Sequence, residues 1–243
     1  MSGVSKNTGR VSGSPSPVRA RIGRDVAARL DADPNIKRAK VETAQIYTYP
    51  DFLSDEDCAA LIALIDDAAR PSTLLATHDD PEFRTSSSTD LDRWSDKVWS
   101  IDERVANVLG LPPANAETMQ GQRYAPGQQF RAHCDYFHEH AEYWAKMQEY
   151  GGQRTWTAMI YLNDVEEGGA TWFPRAGIRF KPKKGLMVIW NNMAPDGAPN
   201  YDTLHEGMRV VEGTKYIITK WFREKEWVKG HIPTYYAGGG QRT

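Results

Sequence analysis

Two stretches in the first half of the chain carry apolar residues at the spacing of an amphipathic helix. The first follows Ser54 and three consecutive acids, which is typical of a helix start because serine and acidic side chains complement the free N–H groups there. Its apolar positions lie three or four residues apart, at Cys58, Leu61, Ile62 and Ile65. The second stretch has Val98, Ile101, Val105, Val108 and Leu109 on one face and ends at Gly110. We therefore predict two helices ahead of the remaining fold.

From Thr118 onward the apolar residues come in short runs that are separated by glycine, proline, asparagine and aspartate. This pattern predicts β-strands with polar turns, over Thr118–Tyr124, Thr157–Leu162, Ala170–Phe173, Ile178–Lys181, Gly185–Trp190 and Lys215–Phe222. The polar and aromatic segment His138–Tyr150 is predicted to be a helical insert. Short, evenly spaced strands favour a sandwich, barrel or jelly roll. The predicted fold class is α+β and mainly β, with N-terminal helices packed against a β-core.

Composition excludes several function classes. The 243-residue chain has 30 Lys+Arg, 32 Asp+Glu and a formal net charge of −2, which argues against phosphate binding over its whole surface. Two cysteines are too few for a disulfide scaffold or a thiolate-rich zinc site. No run approaches the roughly 18 apolar residues of a membrane helix, and no signal-peptide pattern is present. A cytoplasmic protein with reduced thiols and no membrane partner is expected.

Charge is distributed unevenly along the chain. Residues 1–40 contain nine Lys or Arg and three Asp, and we interpret them as a basic, largely disordered leader in which Ile22–Leu30 could form one short helix. A solvated leader is the simplest interpretation, and contact with nucleic acid or an acidic partner is the alternative. The globular domain is predicted over residues 41–224, with its β-core over 116–224 and a C-terminal tail over 225–243.

His133 and Asp135 form a candidate metal site. Residues two apart on an extended segment point to the same side, so this imidazole and this carboxylate would converge. Two such ligands and a distant histidine make the facial triad that suits ferrous iron and leaves open positions. The candidates for the third ligand are His138, His140 and His205. The first two lie in the polar insert close to the pair, whereas His205 lies between two predicted strands, at the mouth where a site would form.

Lys215 opens the last predicted strand. Strand alternation places Ile217, Thr219 and Trp221 on the same face, so the lysine would enter an apolar and aromatic layer. An unpaired buried cation is costly, and an anionic partner is therefore expected. One interpretation is that Lys215 reaches water at the strand end. The other is that it binds the carboxylate of a small acid held beside the metal.

Several ordered segments resemble one enzyme family. QRYAPGQQFRAHCDYF runs from Gln122 to Phe137, GGATWFP begins at Gly168, and Lys215 follows His205 by ten residues. FRTSSSTDL, from residue 83, adds a further match. Together they are similar to the prolyl 4-hydroxylase branch of the 2-oxoglutarate- and Fe(II)-dependent dioxygenases, with a likeness that extends over residues 41–224.

This resemblance implies a double-stranded β-helix, or jelly-roll, fold and an iron-centred reaction. His133, Asp135 and His205 would bind Fe(II). The co-substrates would be 2-oxoglutarate and O2, with ascorbate as reductant, and the products would include succinate and carbon dioxide. No separate acid–base residue is assigned, since the metal and co-substrate perform the chemistry.

The resemblance also implies contacts to the organic ligands. Lys215 would pair with the distal carboxylate of 2-oxoglutarate, and Tyr124 and Thr171 would donate hydrogen bonds to it. The substrate-binding residues would be Arg154, Tyr136 and Arg84. The last of these would lie in a mobile loop that closes over the substrate.

The chain departs from the family in two places, and both concern the substrate side. After the distal histidine the family often has a proline-containing run, whereas residues 208–211 read MRVV, which would alter the loop beside the iron. The 138–150 insert lies where the family meets its substrate. Trp172 and Trp190 are predicted to form core or pocket wall.

The expected reaction is hydroxylation of an unactivated C–H bond, with a prolyl residue in a peptide or protein as substrate. Alternatives on the same site are a free amino acid or another small molecule. A non-catalytic jelly-roll binding module and a nucleic-acid oxygenase are further alternatives. The sequence makes no prediction of the oligomeric state.

Overall fold

The computed structural model describes residues 13–73 and 80–227. In this part of the chain the α-helices are α1 (Pro17–Ala32), α2 (Asp55–Ala68), α3 (Asp96–Leu109) and α4 (Trp144–Glu149). The strands are β1 (Lys37–Arg38), β2 (Ile46–Tyr49), β3 (Arg70–Pro71), β4 (Ser87–Asp90), β5 (Gln120–Tyr124), β6 (Phe130–His133), β7 (Arg154–Tyr161), β8 (Glu167–Gly168), β9 (Thr171–Phe173), β10 (Ile178–Phe180), β11 (Met187–Asn191), β12 (His205–Gly207), β13 (Val210–Glu212) and β14 (Lys215–Arg223). Short 3₁₀ helices cover Pro113–Asn115 and Tyr201–Thr203.

The strands form two antiparallel sheets and a separate short ribbon of β8 and β13. The larger sheet has the order β1-β2-β11-β7-β14-β5-β4-β3, and the smaller has the order β10-β9-β12-β6. Tyr161 and Trp190 of the larger sheet pack against Phe173 of the smaller one in a shared apolar cluster. This arrangement confirms the predicted mainly β, jelly-roll fold. The six predicted strands are all present, with ends that shift by at most three residues.

The predicted helices pack on the face of the larger sheet that points away from the smaller sheet. The Ser54 hydroxyl accepts a hydrogen bond from the N–H of Asp57 at 3.1 Å and so caps α2, while Gly110 ends α3 in a left-handed conformation with φ of 67°. Ile218 and Phe222 of β14 belong to the cluster that these helices bury. Successive side chains of β14 therefore point to opposite faces of the sheet, and each face packs in its own layer.

The leader is not largely disordered over its described residues, which corrects the prediction. Helix α1 runs from Pro17 to Ala32, longer than the short helix expected, with Ser16 as its N-cap. Val26 and Leu30, one helical turn apart, are buried in the same cluster as α2 and α3. The many arginines concealed this short apolar stripe, since most of them lie on the exposed face. Residues 1–12 of the predicted leader lie outside the described residues.

The predicted C-terminal tail is described only at its start. Trp227 donates a backbone hydrogen bond to the carbonyl of Ala114 at 2.9 Å; residues 228–243 lie outside the described part of the chain. None of the described helices has both the length and the apolar character that crossing a bilayer requires.

Candidate active site

Two paired strands of the smaller sheet bring together the predicted metal ligands. His205 begins β12 directly opposite His133 at the end of β6, and Asp135 follows His133 by two residues. One ligand atom from each of the three residues lies within 4.8 Å of the others. The Nε2 atoms of His133 and His205 lie 3.8 and 3.7 Å from Oδ1 of Asp135. Of the other candidates, His140 is exposed. His138 lines a second cleft beside the triad, together with Arg84, Tyr136 and Arg154, which is called the outer cleft below.

Backbone carbonyls fix the orientation of both imidazoles. Nδ1 of His133 lies 2.8 Å from the carbonyl of Arg131, and Nδ1 of His205 lies 2.9 Å from that of Thr203. Since a carbonyl only accepts, Nδ1 carries the proton in each ring and the Nε2 lone pair is free for a metal. Burial, reinforced by the neighbouring His205, lowers the pKa of His133 to about 3, so this ring is neutral.

Asp135 is held as an ionised carboxylate. Burial acts to raise its pKa, but the Arg154 guanidinium and the hydrogen bond from Thr157 act against that effect, and the pKa is lowered. Its Oδ2 accepts a hydrogen bond from the Thr157 hydroxyl at 2.8 Å, and this hydroxyl accepts one from the Asn192 amide at 2.9 Å. Oδ1 is thereby left to face the imidazoles. Sequence reasoning missed Thr157 and Asn192 because only the sheet packing brings them to Asp135.

The donor set fits ferrous iron. Two imidazole nitrogens and one carboxylate oxygen, on one side of a cavity, are the ligands of the 2-His-1-carboxylate facial triad. The polar atoms behind each ligand are the kind of outer partners that orient metal ligands. His133, Asp135 and His205 are therefore the residues that would hold the iron.

Lys215 lies inside the same cavity. Its side chain is 1% exposed, so it does not reach water at the strand end. Its Nζ lies 4.9 Å from the ring centroid of Tyr124 and 5.5 Å from that of Tyr161. Within the described residues no carboxylate lies within ion-pair distance of it, and burial lowers its pKa to about 7. A buried cation without a counterion is a fitting receptor for a ligand carboxylate.

Hydroxyl groups flank Lys215. Tyr124 pairs with Lys215 across the β5–β14 ladder, and its hydroxyl donates to Oε1 of Gln122 at 2.6 Å. The Thr171 hydroxyl accepts from the Tyr161 hydroxyl at 2.6 Å and donates to Sδ of Met159 at 3.5 Å, a weak acceptor that a ligand carboxylate would replace. Sequence reasoning missed Tyr161. The signal was present in the alternation of β7, where Thr157, Met159 and Tyr161 fall on one face.

The cavity is continuous from the metal ligands to Lys215. Met159, Trp190 and Ile217 contribute apolar walls between these two ends. The Trp190 prediction is therefore confirmed, since this side chain is 1% exposed. Trp172 is different: it is 37% exposed on the outer face of β9, because its neighbours Thr171 and Phe173 take the inner positions. The prediction that it forms core or pocket wall is wrong.

The three predicted substrate-side residues line one outer cleft beside the metal ligands: Arg84, Tyr136 and Arg154. Nη1 of Arg84 donates to the carbonyl of Thr73 at 3.0 Å and its Nη2 to the Gln120 amide at 2.8 Å. Arg154 makes a two-point ion pair with Glu117 at 2.6 and 2.7 Å and lies 4.2 Å over the Trp221 ring. Its charge is thus already paired, and sequence reasoning missed Glu117 and its role.

The unusual loop after the distal histidine is fixed to its neighbours. Met208 donates a backbone hydrogen bond to Ala170 at 2.8 Å, and Nη1 of Arg209 donates to the carbonyl of Gly127 at 2.9 Å. Gly168 of the Gly-Gly-Ala-Thr run has φ of 82°, and a side chain there would clash with the backbone of Arg209. The departure in sequence therefore leaves a well-packed loop beside the metal site.

Comparisons with known proteins agree with this geometry. The sequence profile of the 2OG-Fe(II) oxygenase superfamily matches residues 119–223. Probable prolyl 4-hydroxylase 10 of Arabidopsis thaliana is 34% identical over 207 residues, which span 74% of this chain and 68% of that protein. Prolyl 4-hydroxylase 5 of the same plant is 35% identical over 206 residues, spanning 73% and 68% respectively.

Solved structures show the same fold. The viral collagen prolyl hydroxylase of Paramecium Bursaria Chlorella virus-1, in its 2OG complex, matches with a TM-score of 0.56 at 28% identity, over 80% of this chain and 98% of that one. The chain therefore belongs to the 2-oxoglutarate- and Fe(II)-dependent oxygenases, within their prolyl 4-hydroxylase family. It is a dioxygenase that uses iron and 2-oxoglutarate.

Proposed function

We propose that this dioxygenase hydroxylates prolyl residues in a peptide or protein. The observation that carries the proposal is the single cavity that has the facial triad at its mouth and the unpaired Lys215 at its inner end. The names of the relatives support the choice of proline as the residue that is hydroxylated. The outer cleft supports an extended substrate, because aromatic side chains line it on the solvent side of the triad: Phe137, Tyr136, Trp221 and Trp227.

Each residue of the cavity has a defined task in this proposal. Iron bound at the triad and 2-oxoglutarate supply the oxidation, in which one oxygen atom of O2 enters succinate and the other enters the substrate C–H bond, with release of carbon dioxide. Lys215 binds the distal carboxylate of 2-oxoglutarate, and the Thr171 hydroxyl donates a hydrogen bond to it. Tyr124 can do the same once its hydroxyl turns from Gln122.

The remaining groups orient the metal ligands and keep water out of the cavity. Thr157 holds Oδ2 of Asp135, so that Oδ1 faces the iron position. Met159, Trp190 and Ile217 keep water away from the 2-oxoglutarate position, which strengthens the Lys215 ion pair. The Glu117–Arg154 pair forms a rigid wall of the outer cleft that meets the substrate chain. Ascorbate is proposed as the reductant that returns oxidised iron to the ferrous state.

A substrate panel tests the choice of a peptide. The protein with Fe(II), 2-oxoglutarate and ascorbate is offered proline-containing peptides, the same peptides with alanine in place of proline, and free amino acids. The proposal predicts that succinate release rises above the uncoupled background only with the proline-containing peptides, and that those peptides gain one oxygen atom by mass spectrometry. Equal stimulation by the alanine peptides, or by free proline alone, would refute it.

A further inference from the structure

The basic leader contacts a loop of the outer cleft, and the proposed mechanism does not use this contact. The loop covers residues 136–143 and directly follows the metal ligand Asp135; it is called the entrance loop below. Tyr136 and His138 of this loop line the cleft. Phe137, which also lines the cleft, and Glu139 are held by the rest of the protein. The conformation of the cleft wall thus depends on what holds these two residues.

The leader holds Glu139 at both carboxylate oxygens. Oε1 accepts a hydrogen bond from Nη1 of Arg19 at 2.5 Å, and Oε2 accepts one from the backbone N–H of Ser14 at 2.8 Å. Nη2 of Arg19 also donates to the carbonyl of Ser14 at 2.5 Å. The side chains of Arg19 and Glu139 are only 6% and 11% exposed. Gly13 completes the enclosure, since any Cβ there would clash with the Glu139 carboxylate.

A second route leads from Arg19 to the same loop. Its Nε lies 3.9 Å from Oε2 of Glu224, whose Oε1 accepts a hydrogen bond from the N–H of Gln153 at 3.1 Å. Gln153 is fully buried, and its side-chain amide binds both the N–H and the carbonyl of Phe137, at 2.6 and 2.9 Å. Phe137 and Glu139 are therefore both fixed through groups that meet at Arg19.

The buried Glu139 carboxylate depends on the leader, because Arg19 of the leader supplies the charge that balances it. A buried ion pair that loses one partner leaves the other charge unpaired in a poorly solvated place, and that charge then moves toward water. Movement of the Glu139 carboxylate would displace the neighbouring His138 and Tyr136, which line the cleft. A displacement of about 1 Å in a positioning group is enough to cost up to 100-fold in rate.

We propose that Arg19 and Glu139 are positioning residues for peptide recognition, and that the leader is thereby part of the substrate-binding apparatus. The inference rests on the proposed function, because it concerns the side of the cleft that the peptide meets. Lys215 and Thr171 lie at the inner end of the cavity, away from the entrance loop. The leader should consequently affect the KM for peptide and leave the KM for 2-oxoglutarate unchanged.

The test compares Arg19→Gln, Glu139→Gln and the double variant with Glu142→Gln, a matched control that makes the same substitution at an exposed position of the same loop. We expect each single variant to raise the peptide KM about tenfold. The double variant should be no worse than either, since the two substitutions remove the same interaction. The 2-oxoglutarate KM and the visible band of the anaerobic Fe(II)–2-oxoglutarate complex should stay as in the wild type. Hydrogen exchange of residues 136–143 should accelerate in these variants and not in the control.

A steric variant protects the test against misfolding of the charge variants. Gly13→Ala adds one methyl group against the Glu139 carboxylate and removes no charge, and it should raise the peptide KM in the same way. The inference is overturned if an enzyme that turns over peptide keeps the wild-type peptide KM in Glu139→Gln and Gly13→Ala. A wild-type protein that releases succinate but hydroxylates no peptide would instead defeat the proposed function.

Discussion

Lys215 shows at the scale of one residue why a buried charge points to a ligand. Its ammonium lies among the rings of Tyr124 and Tyr161, and burial lowers its pKa to about 7. Lys220, on the opposite face of β14, is equally buried but donates to Asp102 at 2.6 Å. One of two buried lysines on the same strand thus has a protein counterion, and the other faces the cavity.

Replacing Lys215 with alanine should raise the 2-oxoglutarate concentration that half-saturates the enzyme. A charge-assisted hydrogen bond contributes about 1.5–3 kcal/mol, which corresponds to a change of roughly 10- to 150-fold. Succinate release at graded 2-oxoglutarate concentrations measures it. Lys220→Met is the matched control, and it should lower stability while leaving the 2-oxoglutarate requirement as it was. Equal requirements in wild type and Lys215→Ala would refute the assigned role.

Thr157→Val should weaken iron binding without disturbing the fold. The valine keeps the shape of the side chain but removes the hydroxyl that holds Oδ2 of Asp135, and loss of such a partner typically costs about 10- to 100-fold in metal affinity. Anaerobic titration with Fe(II) gives the affinity directly. The control is Thr155→Val, two residues earlier on β7, where the hydroxyl donates to the backbone carbonyl of Phe222 and does not touch Asp135; matching affinities in the two variants would count against the prediction.

At this scale the sequence predicts the residues that share a local pattern, and it misses those that only packing brings in. His133 and Asp135 are two residues apart on an extended segment, and Lys215 begins a recognisable strand, so these positions could be predicted. Thr157 and Glu117 carry no local signal. Thr157 meets Asp135, and Glu117 meets Arg154, only because β7, which carries Thr157 and Arg154, lies in the middle of the larger sheet.

The elements of the fold follow their apolar patterns to different degrees. Strands such as β7, β11 and β14 are long enough to show alternation, and they were predictable. The two-residue strands β1, β3 and β8 are set by their neighbours and carry no pattern of their own. Helix α1 was underestimated for two reasons. Most of its arginines are exposed and conceal a short apolar stripe, and Arg19 is buried through its ion pair with Glu139, whereas sequence reasoning treats arginine as a surface residue.

Helix α1 should therefore contribute to the stability of the domain. Leu30 is fully buried among α3 and the larger sheet, and Leu30→Ala should lower the free energy of unfolding by about 2–5 kcal/mol. Urea denaturation measures the difference. Val18→Ala, at a position of the same helix that is 46% exposed, should change the free energy by no more than about 0.5 kcal/mol. Similar small effects at both positions would show that the leader is not part of the folded domain.

In the molecule as a whole, a cluster of three charged residues, Glu117, Arg154 and Arg223, links two strands of the larger sheet. Glu117 forms ion pairs with Arg154 of β7 and Arg223 of β14 at 2.6 and 2.5 Å, and it lies beside the outer cleft. Burial acts to raise the pKa of Glu117, but the two guanidinium groups outweigh it and the pKa is lowered. A carboxylate whose pKa is lower in the folded state stabilises that state above its unfolded pKa, and this stabilisation is lost as the pH falls through the folded value.

Stability should accordingly decline in acid, and Glu117 should account for part of that decline. Glu117→Gln should lower the free energy of unfolding by about 3–5 kcal/mol at neutral pH, since two guanidinium groups lose their partner. The difference between wild type and variant should shrink as the pH drops below the usual range of glutamate. Urea midpoints recorded between about pH 7 and about pH 2 measure both effects, since the loss falls below the usual glutamate pKa. A difference that stays constant over this range would contradict the lowered pKa.

The central claim is that this site oxidises a prolyl C–H bond with O2 and 2-oxoglutarate. The most direct measurement is mass spectrometry of both products after a reaction under isotopically heavy O2 with a proline-containing peptide. The account predicts that wild-type protein places one heavy oxygen atom in the peptide and one in succinate, in equal amounts once the uncoupled succinate is subtracted. It also predicts that Asp135→Ala and His133→Ala give neither product. Full turnover by either variant, or peptide oxidation without succinate, would contradict it.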